Sequence, residues 1–392
     1  MPRLHSRLAD EPLKLASVIL AAIAAVLTTI MLVVMLTSQA FVGFVIWEYL
    51  GVMFVVLPCV LIVVAIVLGV LSLKYRTLAK ISLVYTSIVT LFAISILGVL
   101  ISGACISYTP DLDFYYSSDG YLSSSADIEI AVVSDSHYGA SSADPDARHD
   151  IMNYLSASDT DLVIHGGDLV DIGLNRAYHR EAISDMEQYL PDKKIHFVMG
   201  NHDAMFCSDV SFMRIYQAGE TSLNHVLEPA PGVHWVIFNM IWDNSEVKSS
   251  DIDWLISTLE SLPEEDLVVV QTHSYFYATG GEIGKADWFD NTTVIENICP
   301  IFERYGVDLV VSGHIHTMQY MDNGGVRYVL VGPFGGSTYD AEDVETEADN
   351  SYFQNGTAHG FTTFSVHSDG TLTITFRDRH GNSLYDATIN YN

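Results

Sequence analysis

Seven side chains of metal-ligand type fall in five short blocks of this 392-residue chain. They are Asp135 and His137 in Asp-Ser-His, Asp168 in Gly-Gly-Asp, Asn201 in Gly-Asn-His-Asp, His273 in Thr-His, and His314 and His316 in Gly-His-Ile-His. Carboxylates, imidazoles and a neutral amide oxygen together suit hard to borderline di- or trivalent cations. Asp135 and His137, like His314 and His316, are two residues apart, which turns both members of a pair to one side of extended backbone. Two cations roughly 3.5–4 Å apart, sharing one carboxylate, clamp both ends of an in-line displacement. Asp168 is the candidate shared carboxylate, since Gly166-Gly167 before it permits close backbone approach. His202, beside Asn201, is free to face a substrate instead of a metal.

The blocks need elements that bring them to one point. Each follows an apolar run that reads as a β-strand: IEIAVV, DLVIH, KIHFVM, DLVVVQ and DLVVS. Strand ends placed side by side gather ligands that are distant in sequence. Helices are expected near 145–157, 175–190, 250–262 (capped by Ser249 or Ser250) and 293–305, with an irregular insert over 204–232. Near the end, VRYVLVG, FTTFSVH and TLTITFRD read as antiparallel strands, the last two joined at Ser-Asp-Gly. The acidic stretch Asp340–Asn350 reads as an exposed loop. Alternation first and hairpins later predict an α/β fold, a mixed β-sheet sandwich flanked by helices, over residues 127–392.

The first 107 residues read differently. Three apolar stretches, Leu15–Thr37, Leu50–Leu73 and Ile81–Ser107, each meet the length of about 20 residues needed to cross a bilayer. Arg3, Arg7 and Lys14 precede the first, and Lys74, Arg76 and Lys80 separate the second from the third. That asymmetry predicts a multi-pass membrane protein with a cytoplasmic N-terminus and everything beyond residue 107 extracytoplasmic. Residues 108–126, polar and Ser-rich, read as a juxtamembrane linker, with Tyr115, Tyr116 and Tyr121 available to the membrane interface. The spans contain no interior charge, which argues against a transport pathway.

The whole chain carries 18 Lys/Arg against 48 Asp/Glu, a net charge of −30. Only six of those basic residues and three of the acids precede residue 108, so the later part is at −33. Such a surface argues against nucleic acid, whose binding relies on Lys and Arg at phosphates. A small phosphate ester is still compatible, because two cations outweigh diffuse charge screened beyond about 8 Å. Of four cysteines, Cys59 and Cys105 lie in the apolar stretches, and Cys207 and Cys299 in the later part, where pairing is permitted but not dictated.

In their order and context the five blocks resemble the calcineurin-like metallophosphoesterase superfamily, from about Asp127 to the C-terminus. The resemblance implies the metallophosphoesterase fold and two metal ions of Mn, Fe or Zn type. One would be held by Asp135, His137, Asp168 and His316, the other by Asp168, Asn201, His273 and His314. It implies a metal-bridging hydroxide as nucleophile, His202 as the catalytic histidine at the leaving oxygen, and Asp171 as the acid that orients it. The chain also departs from relatives. Ile172 stands where protein Ser/Thr phosphatases carry Arg, and Asp171 where purple acid phosphatases place a metal-binding Tyr. His273-Ser-Tyr275 stands where many small-molecule members have His-x-Pro.

The reading is therefore a membrane-anchored phosphoesterase acting on phosphomonoesters, phosphodiesters or pyrophosphate-linked lipids. The alternative is a non-enzymatic membrane sensor or scaffold stabilised by metal. Around the blocks, His165 reads equally as a support for the ligands or a strand-end side chain. Asp203 reads as a turn cap and His359 as a satisfied surface histidine.

Overall fold

The computed structural model describes residues 112–391, save 119, 174, 205–208, 218–219, 241–246, 280–281, 284–285, 288–289 and 340–345, together with Ile19 and Ile23. The chain divides into two compact units, Met1–Cys105 and Ile106–Asn392. Apart from Ile19 and Ile23, the three apolar stretches lie outside the described residues, as do Cys59, Cys105 and Cys207 and part of the acidic stretch Asp340–Asn350. Among the described residues no helix is long and apolar enough to cross a membrane.

In the second unit, β1 (Ile128–Val133), β2 (Leu162–His165) and β3 (Lys194–Phe197) are parallel neighbours. Parallel strands need crossovers, and α1 (Pro145–Ala157) and α2 (Arg176–Tyr189) supply them. Both helices start at a side-chain cap: Asp144 accepts from Ala147 N, and Asn175 from Ala177 N. The stretch expected to be an irregular insert holds α3 (Asp209–Tyr216) and β4 (His225–Ala230). Next come β5 (Val233–Ile237), α4 (Ser249–Ser261), β6 (Leu267–Gln271), the short pair β7 (Glu282–Ile283) and β8 (Ala286–Asp287), α5 (Thr292–Arg304) and β9 (Leu309–Ser312). The chain closes with β10 (Met318–Asn323), β11 (Val326–Val331), β12 (Asn350–Asn355), β13 (Gly360–Val366), β14 (Thr371–Asp378) and β15 (Ser383–Asn390). The start of α4 differs from expectation. Ser249 is already helical, and the Asp251 carboxylate reaches back to accept Lys248 N at 3.3 Å.

Beside the two-stranded β7-β8 sheet, the described residues form two large sheets, ordered β15-β14-β13-β1-β2-β3 and β12-β10-β11-β9-β6-β5-β4. β11 is antiparallel to β10 but parallel to β9, so VRYVLVG is only partly the hairpin strand its sequence suggests. The inner core places Ile130, Val132 and Phe364 of the first sheet against Trp235, Val269 and Val311 of the second. The alternate residues face outward into two further cores. Ala131 and Val133 pack with Ile151, Leu155 and Ile183 of α1 and α2, while Val268 and Val270 pack with Leu255 of α4 and Ile298 and Phe302 of α5. Strands buried on both faces are apolar throughout, which explains the continuous runs IEIAVV and LVVV.

The expected linker is part of this unit from residue 112 onward. Tyr116 N donates to Ile195 O and Ile195 N to Phe114 O, both at 2.8 Å, so the segment adds to the open edge of β3. Leu122 N and Ser123 N donate to Pro229 O. Phe114 and Tyr116 are buried, and Tyr115 lies beside His196, leaving Tyr121 as the exposed member of the three tyrosines. Polar composition hid this docking, because edge pairing uses backbone groups that every residue carries. A fragment beginning at Asp127 is expected to be about 3–6 kcal/mol less stable than one beginning at Leu112, from the loss of two buried aromatic side chains. Denaturant unfolding of the two fragments measures the difference.

Candidate metal centre

All five blocks lie just beyond the C-terminal ends of parallel strands: β1, β2 and β3 in one sheet, β6 and β9 in the other. Backbone bonds continue past the strands and tie the loops together. Asp135 N donates to Gly167 O, His137 N to Asp168 O and Gly313 N to His273 O, each at 3.0 Å. Among the described residues five non-glycines have a positive φ: Asp135 (59°), His137 (44°), Asp168 (53°), His314 (73°) and His316 (53°). All five belong to the candidate ligand set. A left-handed non-glycine residue costs on the order of 1 kcal/mol or more and persists only where its surroundings over-determine it. Glycines allow the loops to close. A Cβ on Gly200 would stand 2.2 Å from Asp168 N, and one on Gly167 2.3 Å from His273 Nδ1.

The side chains converge. Asp135, His137 and His316 form one group, with His137 Nε2 and His316 Nε2 3.0 Å apart and His316 Nε2 3.6 Å from Asp135 Oδ1. Asp168, His273 and His314 form another, and Asn201 Oδ1 joins it at 3.1 Å from His273 Nε2. Asp168 belongs to both sides: Oδ2 is 3.5 Å from His137 Nε2 and Oδ1 is 3.3 Å from His273 Nε2. His202 Nε2 approaches Asp168 Oδ2 at 3.9 Å.

The hydrogen bonds of these rings test their fit to cations. His273 Nδ1 faces Gly166 O at 2.9 Å and His316 Nδ1 faces Ser337 O at 2.6 Å. A carbonyl only accepts, so each Nδ1 carries a ring hydrogen, and in the neutral ring each Nε2 presents a lone pair. Those lone pairs point at other ligand nitrogens, 3.0 Å away in His137 and 3.2 Å away in His314. Burial opposes charge on His273, but Asp168 prevails and holds its pKa up at about 9, so positive charge is favoured among these nitrogens; a proton supplies it in the bare site, and the donor set of two carboxylates, four imidazoles and an amide fits two cations.

The electrostatics agree. Burial, then the charge of His202, holds His137 well below its ordinary pKa, and burial, then His273, does the same to His314. Both are therefore neutral and ready to donate a lone pair. Burial also opposes charge on Asp168, but His273 and His202 outweigh it and keep this carboxyl ionised, well below its usual range. Burial likewise opposes charge on His202, where Asp168 and Asp171 prevail and hold the pKa up at about 9.

Asp171 meets His202 first through its backbone. His202 Nδ1 donates to the backbone carbonyl of Asp171 at 3.0 Å, while the carboxylate Oδ1 stands 3.7 Å away, beyond hydrogen-bond reach. In the structure the peptide carbonyl makes the close contact with the ring, and the carboxylate stands beside it and favours its charged form.

Around the ligands lies a layer that the sequence left undecided. His165 Nδ1 accepts from Gly167 N at 3.3 Å, so its hydrogen is on Nε2 and donates to Ser136 Oγ at 2.9 Å; Ser136 in turn donates to Leu169 O. This relay ties the first block to the second. Asp203 does more than cap a turn: its carboxylate accepts from Leu169 N, Val170 N and Gly200 N, joining the second block to the third. Arg148, deeply buried in α1, lies over the Tyr138 ring and donates to Ser136 O. Tyr275, standing where many relatives have Pro, stacks on the His314 ring at 5.9 Å between centroids. His359 is satisfied by Gly336 O, and Cys299 is a buried free thiol.

Residues 128–318 match the family described as calcineurin-like phosphoesterase. The chain carries a calcineurin-like phosphoesterase domain. It is 28% identical over 149 residues to tartrate-resistant acid phosphatase type 5 of Rattus norvegicus, covering 36% of this chain and 43% of that protein. The chain thus spans less than half of this curated relative. Among solved structures it is similar to purple acid phosphatase PPD1 from yellow lupin (Lupinus luteus), with a TM-score of 0.59, 15% identity, and 70% of this chain and 56% of that one covered. It is also similar to GAP50, the anchor in the inner membrane complex of Plasmodium, with a TM-score of 0.52, 12% identity, and 68% and 90% covered. At these identities the structural likenesses show the shared fold. Asp171, Ile172 and Tyr275 stand at the three departing positions of this domain.

His165 gives this domain a pH signature. Burial, then His273, lowers its pKa to about 3, so the folded domain keeps it neutral while the unfolded chain protonates it near 6.5. Below about pH 6.5 the unfolded state binds more protons, and stability falls as pH drops toward 3, by about 1.4 kcal/mol per pH unit for this group. Thermal unfolding between pH 7 and 4 is expected to show a shallower acid loss in His165→Gln than in the unaltered protein.

Proposed function

We propose that this chain is a membrane-anchored phosphoesterase whose domain hydrolyses phosphomono- or phosphodiester bonds with two di- or trivalent cations. Asp135, His137, Asp168 and His316 would hold one, and Asp168, Asn201, His273 and His314 the other. The observation that carries this reading is the Asp168 carboxylate, with one oxygen turned to each ligand group. When bound, the cations supply positive charge at the phosphoryl oxygens and lower the pKa of water from 15.7 toward about 7.

The chain's own residues supply the rest. Asp168 and Asp135, both buried, set the charge that the cations balance. His202 is held by the Asp171 carbonyl with its Nε2 toward Asp168, where a protonated ring is placed to give its proton to the leaving oxygen. The native metals on this reading are of Mn, Fe or Zn type, since imidazole and carboxylate ligands accept all three. The apolar stretches before residue 108 support the anchor, and the Lys/Arg asymmetry supports an extracytoplasmic domain. A domain tethered beside a bilayer suits small phosphate esters or lipid phosphates, and its charge disfavours nucleic acid.

The full chain loaded with Mn²⁺ is expected to hydrolyse an aryl phosphate monoester or diester and to stop on chelation. Asp135→Asn and His202→Ala should each lower kcat about 100-fold or more. Unchanged turnover in both variants, or metal binding without turnover across a phosphate-ester panel, would remove the enzymatic reading in favour of a metal-stabilised sensor or scaffold.

Asp171→Asn separates carbonyl from carboxylate. The backbone bond to His202 survives this change, so kcat should fall less than about 10-fold. A loss as large as that in His202→Ala would return the orienting role to the carboxylate.

A further inference from the structure

A second imidazole pair lies where the two sheets meet at their open edges. His196 belongs to β3, the last strand of one sheet, and His225 opens β4, the last strand of the other. Their Nε2 atoms are 3.0 Å apart. Both Nδ1 atoms are already committed: His196 Nδ1 is 2.8 Å from Tyr116 O, and His225 Nδ1 is 3.1 Å from Ser222 O. Because a carbonyl oxygen only accepts, each Nδ1 carries the one hydrogen of a neutral ring. With both rings neutral, both Nε2 atoms are lone pairs facing each other at hydrogen-bond distance.

A proton on one ring or a cation between them relieves that contact. A shared proton is disfavoured by burial, which takes His196 down to about 3 and also lowers His225. The pattern repeats that of His273 and His316 in the candidate metal centre, where Nδ1 is fixed by a carbonyl and Nε2 faces another ligand nitrogen at 3.0–3.2 Å. Fixing one ring nitrogen on a backbone carbonyl is how proteins present the other to a metal. His225 is only partly buried, so an ion can arrive from solvent. The Glu220 carboxylate favours positive charge on His225 and is anchored by Ser118 N at 2.8 Å and Ser118 Oγ at 3.0 Å.

We propose that His196 and His225 form a separate metal site, holding one borderline cation such as Zn²⁺ or Cu²⁺ between their Nε2 atoms, with water completing the coordination. The site is structural. It joins β3 to β4 and, through the Tyr116 carbonyl that orients His196, clasps the segment 112–123 that leads into the domain.

The test is a metal count on the full chain, stripped and reloaded with Zn²⁺ and cleared of free ion. The unaltered protein is expected to hold one more equivalent than His225→Ala or His225→Gln. Aryl phosphate turnover of the Mn²⁺-loaded variants should stay within about twofold of the unaltered protein. Zn²⁺ should also raise the melting temperature of the unaltered chain more than that of either variant. His225 sits at a strand start, so the variants should fold, and circular dichroism checks this; His196→Gln provides a second, buried arm. Equal counts in the unaltered chain and in folded His225 variants would overturn the proposal and leave the pair sharing a proton. The one-equivalent difference is read whether or not the phosphoesterase centre loads or turns over, so failure of one reading leaves the other standing.

Discussion

The shared position of the Asp168 carboxylate is the constraint on which the rest of the site depends. It is buried and ionised between imidazoles of two ligand groups, and it sits on left-handed backbone. A buried carboxylate is tolerated only when paired and hydrogen-bonded. Here His273 and His137 flank it, and His202 N donates to its Oδ1 at 2.8 Å. Four further ligand residues share the left-handed conformation, so the centre as a whole is strained toward one geometry. That strain is held by the loop-to-loop bonds among the five blocks and by the supports beneath them, Asp203, His165 and Arg148.

The scaffold suits this burden. Parallel strands β1, β2, β3, β6 and β9 are buried on both faces, and the loops at their C-terminal ends inherit rigid attachment points. Side-chain caps at α1 and α2 set where each crossover begins. α1 does double service, since its Arg148 reaches the Ser136 carbonyl between Asp135 and His137. Fold and site are thus one network: a helix that covers the sheet also positions the metal-ligand loop.

Much of this was legible from residue order. The apolar runs located β1, β2, β3, β6 and β9, and the seven ligand-type residues stand out because they follow those runs, with Gly before three of the five blocks and i, i+2 spacing in two. Short-range chemistry was equally readable in α1, α2 and the β13–β14 hairpin. Other features were not. The 112–123 segment looked like a linker because its docking uses main-chain groups on β3, which composition does not report. α3 and β4 were missed because the segment around them lacks a clean period. Asp203 looked like a turn residue because its three partners come from two separate loops. His165 stayed undecided until Gly167 N settled its tautomer.

By itself, the sequence determined which residues can bind cations, which strands carry them and how charge divides along the chain. These follow from side-chain chemistry and local periodicity, which neighbours in sequence express. Only the tertiary structure decided that Asp168 faces both ligand groups, that a carbonyl instead of a carboxylate holds His202, and that His196 meets His225. Those are distances between groups tens of residues apart, set by how two sheets pack, and no local pattern encodes them.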